Sequence, residues 1–153
     1  MKKTIFFSLV IISIAFSSCN AVNPGSKVES SSGNADVSAL SNANFKKLVF
    51  NYDINKEWKF EGNKPVIIDF YADWCPPCRK LSPLVEEIAK EYKGKIVVYK
   101  VDTDKEKELA QSLGITNLPT LLFIPIKGNP QVTLGLIPKE TIVNKITGLL
   151  LTN

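Results

Sequence analysis

The sequence predicts an α/β domain whose central sheet is mostly parallel, with helices on both faces. Two apolar, β-branched runs, 66–71 and 96–101, are each followed by a stretch with helical spacing. A third run, 120–124, follows the second of those stretches, and such alternation is the pattern of strands joined by helical crossovers. Gly, Pro and Asn residues punctuate the boundaries. At 153 residues and 44% hydrophobic content, the chain is long enough for one domain with a real core, plus some sequence outside it.

The first 18 residues read as a targeting segment. Lys2 and Lys3 supply a positive start, and residues 5–16 are apolar except for Ser8 and Ser13, a stretch too short to span a bilayer as a typical helix. Ser17 and Ser18 lead into Cys19, which resembles the lipobox of bacterial lipoproteins, where the Cys becomes the lipid-modified N-terminus after cleavage; Phe16 departs from the usual aliphatic residue. The alternative is an ordinary signal peptide cut nearby, with Cys19 left as a spare thiol. Residues 19–41 are rich in Ser, Asn, Gly and Ala and read as a flexible tether, whose reach is on the order of 25 Å for about twenty residues. A short edge strand over 37–40 is possible within it.

The folded domain is expected over 42–153. Ser41 or Asn42 can cap a helix carrying Phe45, Leu48 and Val49 on one side, and Gly62, Asn63 and Pro65 then break the chain. The run 66–71 suits a central strand covered on both faces, although Asp69 sits inside it. From Cys78 to about Tyr92, Leu81, Leu84, Val85, Ile88 and Ala89 recur with helical spacing; Pro83 should kink this helix, and Gly94 ends it. After the strand 96–101, a charged helix over 105–113 stops at Gly114, and 120–124 is the third strong strand. Gly128, Asn129 and Pro130 turn the chain into a short antiparallel strand, 131–134, which makes the sheet mixed. Pro138 opens a last helix with Ile142, Ile146, Leu149 and Leu150. Trp58 and Phe60 alternate like strand residues and suggest packing rather than a site.

Charge and composition exclude several function classes. The 19 basic and 15 acidic residues give +4; without the two lysines of the first 18 residues, 17 against 15 leaves +2. Basic residues such as Lys46, Lys47, Arg79 and Lys80 lie among acids and apolar residues, which describes solvated faces, so no nucleic-acid partner is expected. Histidine is absent, which removes His-based triads, His metal sites and imidazole bases; proton transfer must fall to carboxylates, Lys, Tyr or Cys.

The chemistry is expected at Cys75-Pro76-Pro77-Cys78, between a buried strand and a helix. Two thiols three positions apart at a helix start can meet across one turn, and the unpaired amides there stabilise a thiolate. A structural disulfide and half of a zinc site are the alternatives. Zinc would lack ligands, since only Cys19 could add a thiolate, so no metal is expected. A disulfide closing so small a loop would stabilise the fold little.

Residues 66–83, VIIDFYADWCPPCRKLSP, and 101–124, VDTDKEKELAQSLGITNLPTLLFI, resemble the thioredoxin family from about Phe45 to Leu151, with Asp69, Trp74, both cysteines, Pro83, Lys100, Pro119 and Gly135 in register. The stretch NYDINKEWKFEGNKP is longer than in the shortest thioredoxins and is similar to an extracytoplasmic bacterial branch. The resemblance implies a thioredoxin fold and dithiol-disulfide exchange, with Cys75 attacking a substrate disulfide and Cys78 resolving the mixed disulfide. It implies that Asp69 handles the proton of Cys78, with Lys100 in the same proton network; a structural ion pair between Asp69 and Lys100 is the alternative reading and is compatible with that role. It implies a cis bond before Pro119, with Leu118 pairing with an extended substrate, and Trp74 in an apolar collar around Cys75, a plain core aromatic being the alternative.

Pro76 stands where the family commonly has Gly. Neither Pro76 nor Pro77 has an amide hydrogen, so a Cys75 thiolate should depend mainly on the Cys78 amide and the helix dipole. A less stabilised thiolate favours the disulfide and a more reducing couple, which points to a reductase. Expected partners are protein substrates with disulfides, an upstream thiol reductant and a membrane reached through the lipid on Cys19. No cofactor is expected, the chain is expected to be a monomer, and the location is expected to be the periplasm. An oxidase or isomerase of secreted proteins, a non-redox binding module and a metal carrier are the alternatives.

Overall fold

The computed structural model describes residues 36–152. The targeting segment, Cys19 and the tether up to residue 35 lie outside them. The elements in chain order are β1 (Val37–Ala39), α1 (Asn42–Leu48), β2 (Val66–Tyr71), α2 (Pro76–Glu91), β3 (Val97–Asp102), α3 (Lys107–Ser112), β4 (Thr120–Ile124), β5 (Gln131–Leu134) and α4 (Lys139–Lys145). A π-helical turn, Ile146–Leu150, continues α4.

The five strands form one mixed sheet in the order β1-β3-β2-β4-β5. β1 and β2 run parallel to β3, while β4 is antiparallel to β2 and β5 to β4. The expectation of a mostly parallel sheet fails at β4. An antiparallel partner needs no crossover along the length of the sheet, and the chain re-enters at the end where β2 and β3 finish, with Thr120 opposite Phe70. This return brings the segment before β4 to the same edge as the cysteine loop.

Strand alternation divides the core in two. Val66, Ile68 and Phe70 of β2 join Phe45 of α1 and Leu109 of α3 in one cluster. Ile67 joins Leu81, Val85 and Ile88 of α2, and Ile142, Ile146 and Leu150 of the last helix, in the other. Val37 and Leu40 are buried in these two clusters, so the folded chain begins earlier than residue 42. The tether reading for 19–41 is corrected at that end, because β1 pairs in register with β3. Trp58 and Phe60 lie in no strand but pack against the α1 side, with Trp58 4.8 Å from the Phe50 ring between centroids.

Local signals account for most boundaries. The Ser41 hydroxyl accepts from the Asn44 amide at 3.3 Å and caps α1. Gly94 and Gly114 end their segments with φ of +81° and +67°, a region glycine enters without strain. α2 starts two residues before the expected Cys78, since prolines fit a first helical turn whose amides have no partners. The same helix runs through Pro83, which leaves the Arg79 carbonyl without its usual donor four residues on. α3 is shorter than the expected 105–113, because Lys105 and Glu106 fold back in a turn on the Asp102 carbonyl.

Among the described residues, Asp69 is the only buried charged residue of the core, 1% exposed. Burial pushes its carboxyl up from 3.8 to about 6, against an opposing pull from Lys100. The folded state holds the proton more tightly than the unfolded chain, so the contribution of Asp69 to stability is fullest below pH 3.8 and is lost as pH rises to about 6. Replacing Asp69 with Asn removes this titration. The stability difference between Asp69→Asn and the unmodified chain, measured by denaturant unfolding of the oxidised proteins, should shift in favour of the variant by on the order of 2–3 kcal/mol between pH 4 and pH 8.

Candidate functional site

The site forms where β2 ends and α2 begins. Ala72 turns the chain out of the sheet, and the Cys75 amide donates to its carbonyl at 3.1 Å. Cys75 is the N-cap of α2, with extended backbone at φ −86° and ψ 106°, and the next two positions are Pro76 and Pro77. The Cys78 amide donates to the Cys75 sulfur at 3.3 Å. A sulfur thus occupies the capping position normally filled by Ser, Thr, Asn or Asp, where the helix presents its partial positive charge.

Cys75 and Cys78 form a disulfide, with Cα atoms 5.3 Å apart. Both are 2% exposed and cluster with Ala72, against which Tyr71 and Leu118 pack. Cys75 lines a cleft of about 380 Å³ together with Trp74, Pro76, Pro77, Leu118 and the segment 115–117. Thr103 lines the opposite wall, and its hydroxyl donates to the Tyr71 carbonyl at 3.1 Å.

Trp74 is 66% exposed at the rim, which fits the collar reading and not the core aromatic. Its indole NH donates to Asp104 at 2.8 Å, across thirty residues of sequence. Arg79 anchors the same loop from the other side by donating to the Asp73 carbonyl at 3.1 Å. The Leu118-Pro119 bond is cis, as the resemblance implied. The Thr120 hydroxyl donates to the Asn117 carbonyl at 2.7 Å and ties the segment before Leu118 to the start of β4.

Asp69 lies on the sheet face that α2 covers, in line with Ile67 and Tyr71. Its Oδ1 is buried and has no hydrogen-bond partner among the described residues. Lys100 is its register partner on β3, yet no ion pair within 4.0 Å joins them among the described residues. The structural ion-pair reading is corrected accordingly. The Lys100 ammonium lies instead 4.6 Å from the centroid of the Tyr71 ring, where it can keep contact with water. It still acts on Asp69 through space, lowering the pKa that burial has raised.

The structure thus brings together Trp74, Cys75, Pro76, Cys78 and Leu118, and sets Asp69 and Lys100 on the sheet face that α2 covers. Thr103, Asp104, Ile115, Thr116 and Asn117 were not anticipated. The proximity of 115–117 to Leu118-Pro119 was a usable signal; nothing in the sequence marked Thr103 or Asp104.

The thioredoxin family profile matches residues 36–148. A thioredoxin of Borreliella burgdorferi is 46% identical over 108 residues, covering 71% of this chain and 92% of its own length. A thioredoxin of Pyropia yezoensis is 37% identical, covering 72% and 94%. Among solved structures, chloroplastic thioredoxin z superposes with a TM-score of 0.62 at 28% identity, covering 73% of this chain and 92% of that one. A thioredoxin of Malassezia sympodialis gives 0.60 at 30% identity, covering 73% and 89%. With these relatives, a mixed sheet between two helical layers and a disulfide at the N-terminus of α2, the chain belongs to the thioredoxin family and is a protein-disulfide oxidoreductase.

Proposed function

We propose that this oxidoreductase reduces disulfides of exported proteins, in the periplasm, from a membrane to which a lipid on Cys19 tethers it. The observation that carries the reductive direction is the amide count at Cys75. Its sulfur receives the Cys78 amide at 3.3 Å, while Pro76 and Pro77 offer no donor. A thiolate with fewer donors gains less from being released, so the couple lies towards the disulfide and the dithiol is the stronger reductant. One net hydrogen bond of about 1 kcal/mol corresponds to roughly 20 mV for a two-electron couple, enough to shift the balance.

In the reductive half-reaction the Cys75 thiolate attacks one sulfur of a substrate disulfide, and the other sulfur leaves as a thiolate. Asp69 takes the Cys78 proton, its raised pKa suiting an acceptor near neutrality in a chain without His. The Cys78 thiolate then attacks the Cys75 sulfur and releases the second substrate thiol, and two electrons have passed to the substrate. A dithiol reductant from upstream restores Cys75 and Cys78. The cleft between Trp74, Pro76 and Leu118 would receive an extended substrate segment, with the Leu118 backbone free to pair with it.

Cys75→Ser should abolish insulin-disulfide reduction, and Cys78→Ser should accumulate mixed disulfides visible on non-reducing gels; activity retained by the Cys75 variant would reassign the nucleophile. Glutathione redox titration should give a potential near or below roughly −230 mV, and a value above roughly −180 mV, the isomerase range, would favour an oxidase or isomerase. Pro76→Gly restores a donor near Cys75 and should lower its thiol pKa and raise the potential, read by thiolate absorbance and by the same titration. The protein from cells should partition into detergent with acyl chains on Cys19 by mass spectrometry; two or more chains give stable anchoring where one does not. An unmodified Cys19 or a different mature start would remove the tether from this account.

A further inference from the structure

Lys100 has two places to put its charge. In the parallel register it stands beside Asp69, and Tyr71, two residues further along β2, lies diagonally across from it on the same sheet face. A lysine there could close an ion pair with the buried carboxylate, yet its ammonium lies over the Tyr71 ring, 4.6 Å from the centroid. Asp69 keeps a buried oxygen without a hydrogen-bond partner among the described residues. The choice is physically reasonable. Pairing with Asp69 would strip water from the ammonium, whereas Tyr71 and Lys100 are only half-buried and leave it hydrated on one side.

We propose that Tyr71 is a positioning residue for the exchange reaction: its ring face holds the Lys100 ammonium away from Asp69, so that the carboxyl stays unpaired and ready to accept a proton. This rests on the reading of Asp69 as the acceptor for Cys78. The charged group that acts on Asp69 is Lys100 from β3, while β4 places the uncharged Leu121 opposite it. Around Tyr71 are Asp102 on β3, Asp73 after β2, Lys105 before α3, and Asp69 itself. Burial and then the carboxylates of Asp102 and Asp73 raise the phenol pKa, outweighing Lys105, so the ring remains neutral while the enzyme works. Asp102 is held by Lys105 at 2.9 Å and so is already partnered when Lys100 chooses its site.

The test is a carbon-13 NMR titration of Asp69 in the oxidised full chain, which reads its proton affinity whatever its role in catalysis. Tyr71→Leu should let Lys100 reach the carboxylate and lower that affinity about tenfold or more, while Tyr71→Phe, which keeps the ring face, should leave it unchanged. In a Lys100→Met background the effect of Tyr71→Leu should vanish. A shift that persists without Lys100 would mean that the ring only excludes water, and no shift, or an equal one in Tyr71→Phe, would equally overturn the proposal. Should Tyr71→Leu fail to fold, the unmodified chain still decides: the Lys100 ε-methylene protons must show an upfield ring-current shift, and its absence would refute the contact. Failure of the acceptor reading appears separately, as an Asp69→Asn variant whose pH–rate profile for insulin reduction matches that of the unmodified chain.

Discussion

β2 must be buried on both faces and yet carry a carboxyl group, and most of the structure follows from that constraint. Val66, Ile68 and Phe70 require cover from α1 and α3, while Ile67 requires cover from α2 and the last helix. Both edges of the strand are satisfied by neighbours, β3 on one side and β4 on the other. Asp69 is therefore sealed from water by the packing that makes the sheet stable. Burial of a side chain the size of Leu or Phe contributes about 1.5–3 kcal/mol, and many such residues surround the strand, so the core tolerates one carboxyl that opposes it. Relief of that penalty by protonation is what gives the group a proton affinity useful near neutral pH.

The cysteine loop extends the same strand. Once β2 leaves the sheet at Tyr71, three residues bring the chain to Cys75, which caps α2 with its sulfur. The helix supplies the positive end of its dipole to that sulfur, and the two prolines limit the local amide donors to Cys78. α2 then buries Leu81, Val85 and Ile88 against the sheet, which fixes the helix start and hence the sulfur. Reactivity and packing are thus set by one element: the apolar face of α2 holds its N-terminus where a thiolate is needed.

The rim of the site is built from segments far apart in sequence. Trp74 is held by Asp104, and the Asp73 carbonyl by Arg79, so the exposed loop is fastened from both sides. The segment 115–118 reaches the cleft because β4 starts at the end of the sheet where β2 finishes. An antiparallel β4 thereby turns a loop into one wall of the cleft. The Thr120 hydroxyl on the Asn117 carbonyl fixes that wall to the strand.

The sequence alone determined the strands 66–71 and 120–124, a helix cap at Ser41 or Asn42, the stops at Gly94 and Gly114, and the redox pair at a helix start, because each depends on contacts within a few residues. Asp69 stood out as a charge inside a continuous apolar run, and its place in the site came from the resemblance to the thioredoxin family. Edges were less legible. β1 lay in a polar stretch that allowed a short edge strand over 37–40 but read mainly as tether, because the burial of Val37 and Leu40 depends on β3 and the helical layers. Only the tertiary structure decided that β4 runs antiparallel, that Thr103 lines the cleft and Asp104 holds Trp74 at its rim, and that Lys100 rests on Tyr71 and forms no ion pair with Asp69. Those outcomes depend on the end at which a strand enters the sheet, and on which of two neighbours offers a cation the better balance of attraction and hydration. Neither quantity exists until the strands are in register.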